Sequence, residues 1–144
     1  MAELSLASAV AQGMLNGTGL AEAFGASPKL RIYSGTKPAT ADTALSGNTQ
    51  LAELVCASTP FSGFSDTGSA ARGTMGAIAN DTSADATGSA SFWRIYDNAG
   101  TTVKAQGDAG TTGAALILAT VAFTAGSTIA ISSAYFDLPK TGTW

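Results

Sequence analysis

Histidine is absent from this 144-residue chain, cysteine occurs once, and basic residues are scarce, seven in all. Each shortage excludes something. Without histidine the commonest general base and metal ligand is missing. A single thiol cannot build a thiolate zinc site or an internal disulfide. Cys56 lies in the apolar run Leu51 to Cys56 and reads as a buried, inert thiol. Nothing points to an oxidising compartment. Seven Lys and Arg against ten Asp and Glu give a net charge of −3, and the pI is near 4.6. There is no basic stripe to neutralise phosphates, which argues against nucleic-acid binding. No Lys or Arg precedes Lys29, so the start lacks the basic region of a signal peptide. The longest apolar run, Ala114 to Phe123, falls far short of the ~20 residues of a membrane-spanning helix. The expectation is a protein made and held in the cytosol until it assembles.

Large apolar residues are also few. Ala, Gly, Ser and Thr number 29, 17, 15 and 19, together 80 of 144 positions, while Leu, Ile, Val and Phe number 27. So small a supply describes either a small-residue β-protein or a subunit that completes its burial against other copies or a partner. Disorder also requires a high net charge, which is lacking here.

What is present divides at Pro28. Before it, Leu6, Val10 and Met14 recur at four-residue spacing, which predicts one helix face, capped by Ser5 and ended at Asn16-Gly17. A short second turn is expected over Leu20 to Phe24, stopped by Gly25. This segment, residues 1–27, is either an arm that reaches a neighbour or a helix packed on its own domain. Residues 28–144 read as the β domain. Strands are predicted at Leu30 to Ser34 and Leu51 to Cys56, separated by a long loop from Gly35 to Asn48. At most two short strands fit between Ser58 and Asp85, where Phe61, Phe64 and Met75 to Ile78 form apolar islands. Ser89 to Asp97 turns through Asn98-Ala99-Gly100 into Thr102 to Gln106, a hairpin, and Gly107 to Gly113 reads as a loop. The closing pair is Ala115 to Phe123 and Ser127 to Leu138.

Strand parity sorts the faces. Trp93 and Ile95 share one face, with Phe92, Arg94 and Tyr96 on the other. Ile129, Ile131 and Tyr135 fall together, opposite Phe136 and Leu138. Ala115 to Phe123 is apolar on both faces, so the face away from the second sheet needs the N-terminal helix or a neighbouring subunit. Leu30-Arg31-Ile32-Tyr33 echoes Trp93-Arg94-Ile95-Tyr96. The echo places each Arg beside a Tyr on an outer sheet surface and suits a β-sandwich or jelly-roll-like domain with a short N-terminal helical segment.

Chemistry-bearing patterns are sparse. No Ser or Thr has a recognisable Lys or carboxylate partner. Gly17-Thr18-Gly19 follows no strand, so a dinucleotide loop fails on context. Asp81 and Asp85 loosely suggest Ca²⁺ but lack a fuller ligand set, and solvated turn residues are the favoured description. No catalytic, metal or cofactor residues are assigned. The candidate assembly contacts are Leu6, Val10, Met14 and the terminal Trp144.

The run Leu30-Arg31-Ile32-Tyr33-Ser34-Gly35-Thr36-Lys37-Pro38-Ala39-Thr40-Ala41-Asp42, with the Phe92 to Tyr96 strand and the closing Asp137-Leu138-Pro139, resembles a group of short tailed-bacteriophage virion proteins. The chain looks most like the capsid cement (decoration) proteins among them. The resemblance spans roughly residues 30 to 139. It implies a non-enzymatic, cofactor-free homo-oligomer on the capsid exterior that clamps the major capsid protein of an HK97-type shell, with no nucleic-acid or membrane partner. Similar small β-proteins also serve in phage tails, so the alternative is a tail or fibre component with a glycan-binding face.

Overall fold

The computed structural model describes residues 4–131 and 133–140. The elements in chain order are β1 (Leu4–Leu6), α1 (Ser8–Leu15), α2 (Leu20–Phe24), β2 (Lys29–Ser34), β3 (Thr49–Cys56), β4 (Phe61–Asp66) and β5 (Ala70–Met75). Then follow β6 (Ile78–Ala79), β7 (Gly88–Ser89), β8 (Phe92–Tyr96), β9 (Val103–Gly110), β10 (Leu116–Ile117), β11 (Ala122–Phe123) and β12 (Tyr135–Pro139). The fold is mainly β, as the alternating runs predict. The largest sheet has the order β1-β9-β8-β2-β3-β6, with β10 added in parallel to β9. A second sheet is ordered β12-β5-β4, and β11 pairs with β7. The main core lies between the first two sheets: Leu30, Ile32, Trp93 and Ile95 from one meet Phe61, Met75 and Phe136 from the other. Phe136 meets Trp93 edge-on at 5.7 Å and Phe24 at 5.4 Å. Such aromatic pairs add ~0.5–1.5 kcal/mol each beyond their buried area.

The N-terminal segment belongs to this domain and is not a free-standing arm. β1 pairs antiparallel with β9, and the Ala7 N–H continues the ladder to the Lys104 carbonyl. Ala7, Val10 and Phe24 are buried in the main core. Ser5 sits in β1 and is not the helix cap. Instead the Asp42 carboxylate accepts the Ser8 N–H at 3.0 Å and the Ser8 hydroxyl at 2.6 Å. A carboxylate at a helix start offsets the unpaired N–H groups and the positive end of the helix dipole. The Ser8 hydroxyl and N–H hold Asp42 below its ordinary carboxylate range. The expected second turn is α2, and Gly25, at φ 73°, ends it.

Three further expectations are corrected. Three strands (β4, β5 and the two-residue β6), not at most two, lie between residues 58 and 85. Residues 115–123 are not one strand with two apolar faces. The chain breaks after β10, so Leu116, Leu118 and Phe123 all turn into the same core while Ile117 stays half exposed. No neighbour is needed to cover a second face there. Parity likewise fails across 127–138, because among the described residues there the strand is confined to Tyr135–Pro139. Ile129, Ile131 and Phe136 are all buried and Tyr135 is exposed.

The hairpin between β8 and β9 is set by Asp97 more than by the Asn98-Ala99-Gly100 turn itself. Its carboxylate accepts the N–H groups of Thr101 (2.8 Å) and Thr102 (3.1 Å), and these bonds pull its pKa from 3.8 to about 2. A depressed folded-state pKa contributes stability above the unfolded value, lost as pH falls through the folded one. The contribution is therefore full above pH 3.8 and disappears toward pH 2. Because Asp97 is only partly buried and solvent screens its carboxylate, the effect is small. Asp97→Ala is expected to flatten the melting-temperature profile within that window and leave a modest, constant deficit above it.

Candidate functional site

The face of the large sheet turned away from the main core is covered over β8 and β9 and stays partly exposed over β2 and β3, where Val55 is exposed. Residues directly opposite one another share a face, and the register aligns Gln106, Arg94, Arg31 and Glu53 in one row across β9, β8, β2 and β3. The two echoed strands are thus antiparallel neighbours with their arginines side by side. Like charges so placed repel, and each guanidinium turns to its own partners. Arg31 donates to Glu53 at 2.6 Å and to the Gly100 carbonyl at 3.1 Å, and lies 4.5 Å from the Tyr96 ring centre. The sequence echo sets each Arg beside the Tyr of its own strand; the stacking observed is across strands, Arg31 on Tyr96. Gly100 permits it, since a Cβ there would meet the Arg31 guanidinium at 2.5 Å.

Arg94 is the correction. It is 2% exposed and Gln106 is 0% exposed, because the loop of residues 35–48 folds over them. Arg94 donates to Gln106 Oε1 (3.1 Å) and to the carbonyl of Thr43 (2.6 Å), and Gln106 Nε2 donates to the carbonyl of Pro38 (2.7 Å). Leu45 of the same loop packs on the stacked Tyr33–Phe92 pair and Tyr96. The run from Leu30 to Asp42 is therefore a strand followed by a loop clamped onto the sheet by a buried arginine. The local chemistry is structural: the buried polar groups satisfy one another.

Neither Asp81 nor Asp85 is a free turn carboxylate. Asp81 accepts the Glu53 N–H at 3.0 Å and the Ser83 N–H at 2.9 Å, and Asp85 accepts from Gln50 at 2.7 Å. Among the described residues no three His, Cys, Asp or Glu side chains cluster as a metal site would require. Cys56 is buried, and burial pushes its thiol up to about 11. No helix among the described residues is long and apolar enough to cross a membrane.

The feature with the character of a site is an apolar groove of about 180 Å³ between the N-terminal segment and the β12-β5-β4 sheet. Leu4, Leu6, Met14 and Leu20 form one wall, with Phe64, Phe136 and Leu138 opposite. Phe64 is 68% exposed and Leu138 50%. Gly73 makes room for the rings, since a Cβ there would stand 3.0 Å from Phe61 and 3.1 Å from Phe64. At the rim, Arg72 and Asp137 are tied to each other by two bonds of 2.7 Å, and Arg72 lies 3.7 Å from the centre of the Tyr135 ring. The rim's charges are thus already matched. The groove is smaller than the ~300–1,000 Å³ of ordinary ligand pockets, and its open walls offer apolar surface for protein side chains.

The sequence-derived contacts divide at this groove. Leu6 and Met14 line it. Val10 does not, being 4% exposed inside the core, because the core side of α1 is covered by its own domain. Trp144 lies outside the described residues. Phe64 and Leu138 were missed as contacts. The available signal was Phe64 standing alone in a Ser- and Gly-rich stretch. Comparison of the chain with protein-family models, with curated proteins and with solved structures gave no match.

Proposed function

We propose that this chain is a non-enzymatic capsid cement subunit, which binds the outside of an HK97-type phage head shell and stabilises it. The observation that carries the proposal is the groove: half-open apolar walls, with rim charges paired to each other, present a surface for another protein chain. Exposed apolar surface of this kind marks interaction sites. The resemblance of residues 30 to 139 to virion proteins supplies the partner, the major capsid protein. A ligand that binds only the assembled shell shifts the shell toward assembly by mass action. The runner-up, a tail or fibre component with a glycan-binding face, calls for aromatic rings over a polar cleft. The open polar concavity over Thr36, Lys37, Thr43 and Asn48 has no aromatic lining, and a smaller one beside Trp93, Tyr135 and Asp137 has two rings; the exposed apolar walls of the groove support the first role.

Leu138→Asp is the test, since the residue is half exposed in the groove and its loss spares the core. Binding to empty shells lacking the protein, read by co-sedimentation, is expected to weaken at least ~10-fold, in the range of an interface hot spot. Wild-type protein that does not bind shells, or a variant that binds as well as wild type, would contradict the proposal.

A further inference from the structure

The two edges of the β12-β5-β4 sheet are built differently, and its hydrogen-bond phase shows how. The Thr67 N–H donates to the Ala70 carbonyl, the Lys140 N–H to the Ser69 carbonyl and the Met75 N–H to the Ala134 carbonyl, each at 2.9 Å. In an antiparallel strand the N–H and C=O of one residue point to the same side, and the side alternates along the strand. Residues 70, 72 and 74 of β5 therefore address β4, and 71, 73 and 75 address β12. The register pairs Gly63 with Thr74, Phe64 with Gly73, Ser65 with Arg72 and Asp66 with Ala71. Gly63 and Ser65 thus bond inward, while the backbone groups of Phe64 and Asp66 point off the sheet. On β12, by the same logic, Tyr135, Asp137 and Pro139 point off the other edge.

The β12 edge is guarded. Pro139 has no N–H to offer there. The β4 edge is open. Every residue from Ser62 to Asp66 is exposed, the strand contains neither Pro nor Lys, and its one irregularity, the register shift between Phe61 and Gly63, lies at its start and leaves Gly63 to Asp66 regularly paired. Its one charge, Asp66, is neutralised by Lys140 at 2.6 Å. We propose that β4 pairs antiparallel with β4 of a second copy of this chain, about a twofold axis at Phe64. Outward-pointing groups must oppose outward-pointing groups, and this register does so by setting Phe64 against Phe64 of the second copy. Asp66 then faces Ser62, so no like charges meet. Phe64 shares a row, and therefore a face, with Gly73 and Phe136. The pairing joins the two exposed rings on the groove side. It makes one six-stranded sheet with two apolar grooves side by side, a self-complementary contact of the twofold kind. The pairing is independent of shell binding and is measured without shells.

Sedimentation of the wild-type chain is expected to show a monomer–dimer equilibrium. Residue-resolved amide exchange provides the signature: Gly63 and Ser65 are protected at every concentration, whereas Phe64 and Asp66 become protected only as dimer forms. Phe64→Lys is expected to raise the dissociation constant at least ~30-fold with an unchanged circular dichroism spectrum. Tyr135→Lys, on the guarded edge, should leave the dimer intact. If Phe64→Lys perturbs the fold, the wild-type exchange pattern decides alone. A monomer at all concentrations, a dimer whose Phe64 and Asp66 amides exchange freely, or a dimer lost in Tyr135→Lys would overturn the proposal. Failure of Leu138→Asp to affect shell binding would leave it standing.

Discussion

Removal of residues 1–27 is expected to abolish cooperative folding of the remaining chain. The deletion strips β1 from β9, takes Ala7, Val10 and Phe24 out of the core, and leaves the rings of Phe61 and Phe136 without their Phe24 neighbour. Phe24 alone, 1% exposed, is worth ~3–5 kcal/mol as a Phe→Ala change. A domain of this size has only ~5–15 kcal/mol in total. Phe24→Ala is the graded form of the experiment and should lose about that share in chemical denaturation. The near-UV signal from Trp93, which packs on Phe136, should collapse in the truncated chain. A truncated chain that melts as sharply and as late as the full one would show that the segment is dispensable to the domain.

The second large effect is expected at Arg94. Replacement by alanine leaves Gln106 Oε1 and the Thr43 carbonyl without their donor in a buried site, at ~1–3 kcal/mol each, and opens a void. The total is ~3–5 kcal/mol. Arg94→Met, which keeps the volume, should recover only the part due to the void. In both variants the loop of residues 35–48 loses its clamp, so its amide protons should exchange faster than those of β3. A loss below ~0.5 kcal/mol, as for an ordinary surface site, would contradict the buried clamp.

Local patterns in the sequence were legible where one element decides its own structure. The helix ends at Asn16-Gly17 and Gly25, the strands at residues 30–34 and 51–56, and the hairpin after Tyr96 all follow from period and turn chemistry. What misled was tertiary. Arg94 obeys strand parity, yet parity says only which face it takes and not that a loop 50 positions away in sequence covers that face. The apolar run 115–123 has the composition of a strand apolar on both sides, but the break after β10 lets Leu116, Leu118 and Phe123 reach one core while Ile117 stays half exposed. Leu6, Val10 and Met14 have the spacing of one helical face, but Leu6 lies in β1 and only Val10 and Met14 in α1, and their division between core and groove depends on where β1 docks. The groove itself is invisible locally, because Leu4, Leu20, Phe64 and Leu138 come from four separate elements. The β4 edge is half legible: Pro139 marks β12 as a protected edge, while the openness of β4 depends on the sheet order.

The most direct test of the proposed role is an image reconstruction of HK97-type phage heads combined with this protein. A capsid cement subunit is expected as density of this fold on the outer surface of the head, with the groove formed by Leu6, Met14, Phe64 and Leu138 facing the major capsid protein. Density of the fold in the tail, or heads that never carry it, would contradict the proposed function.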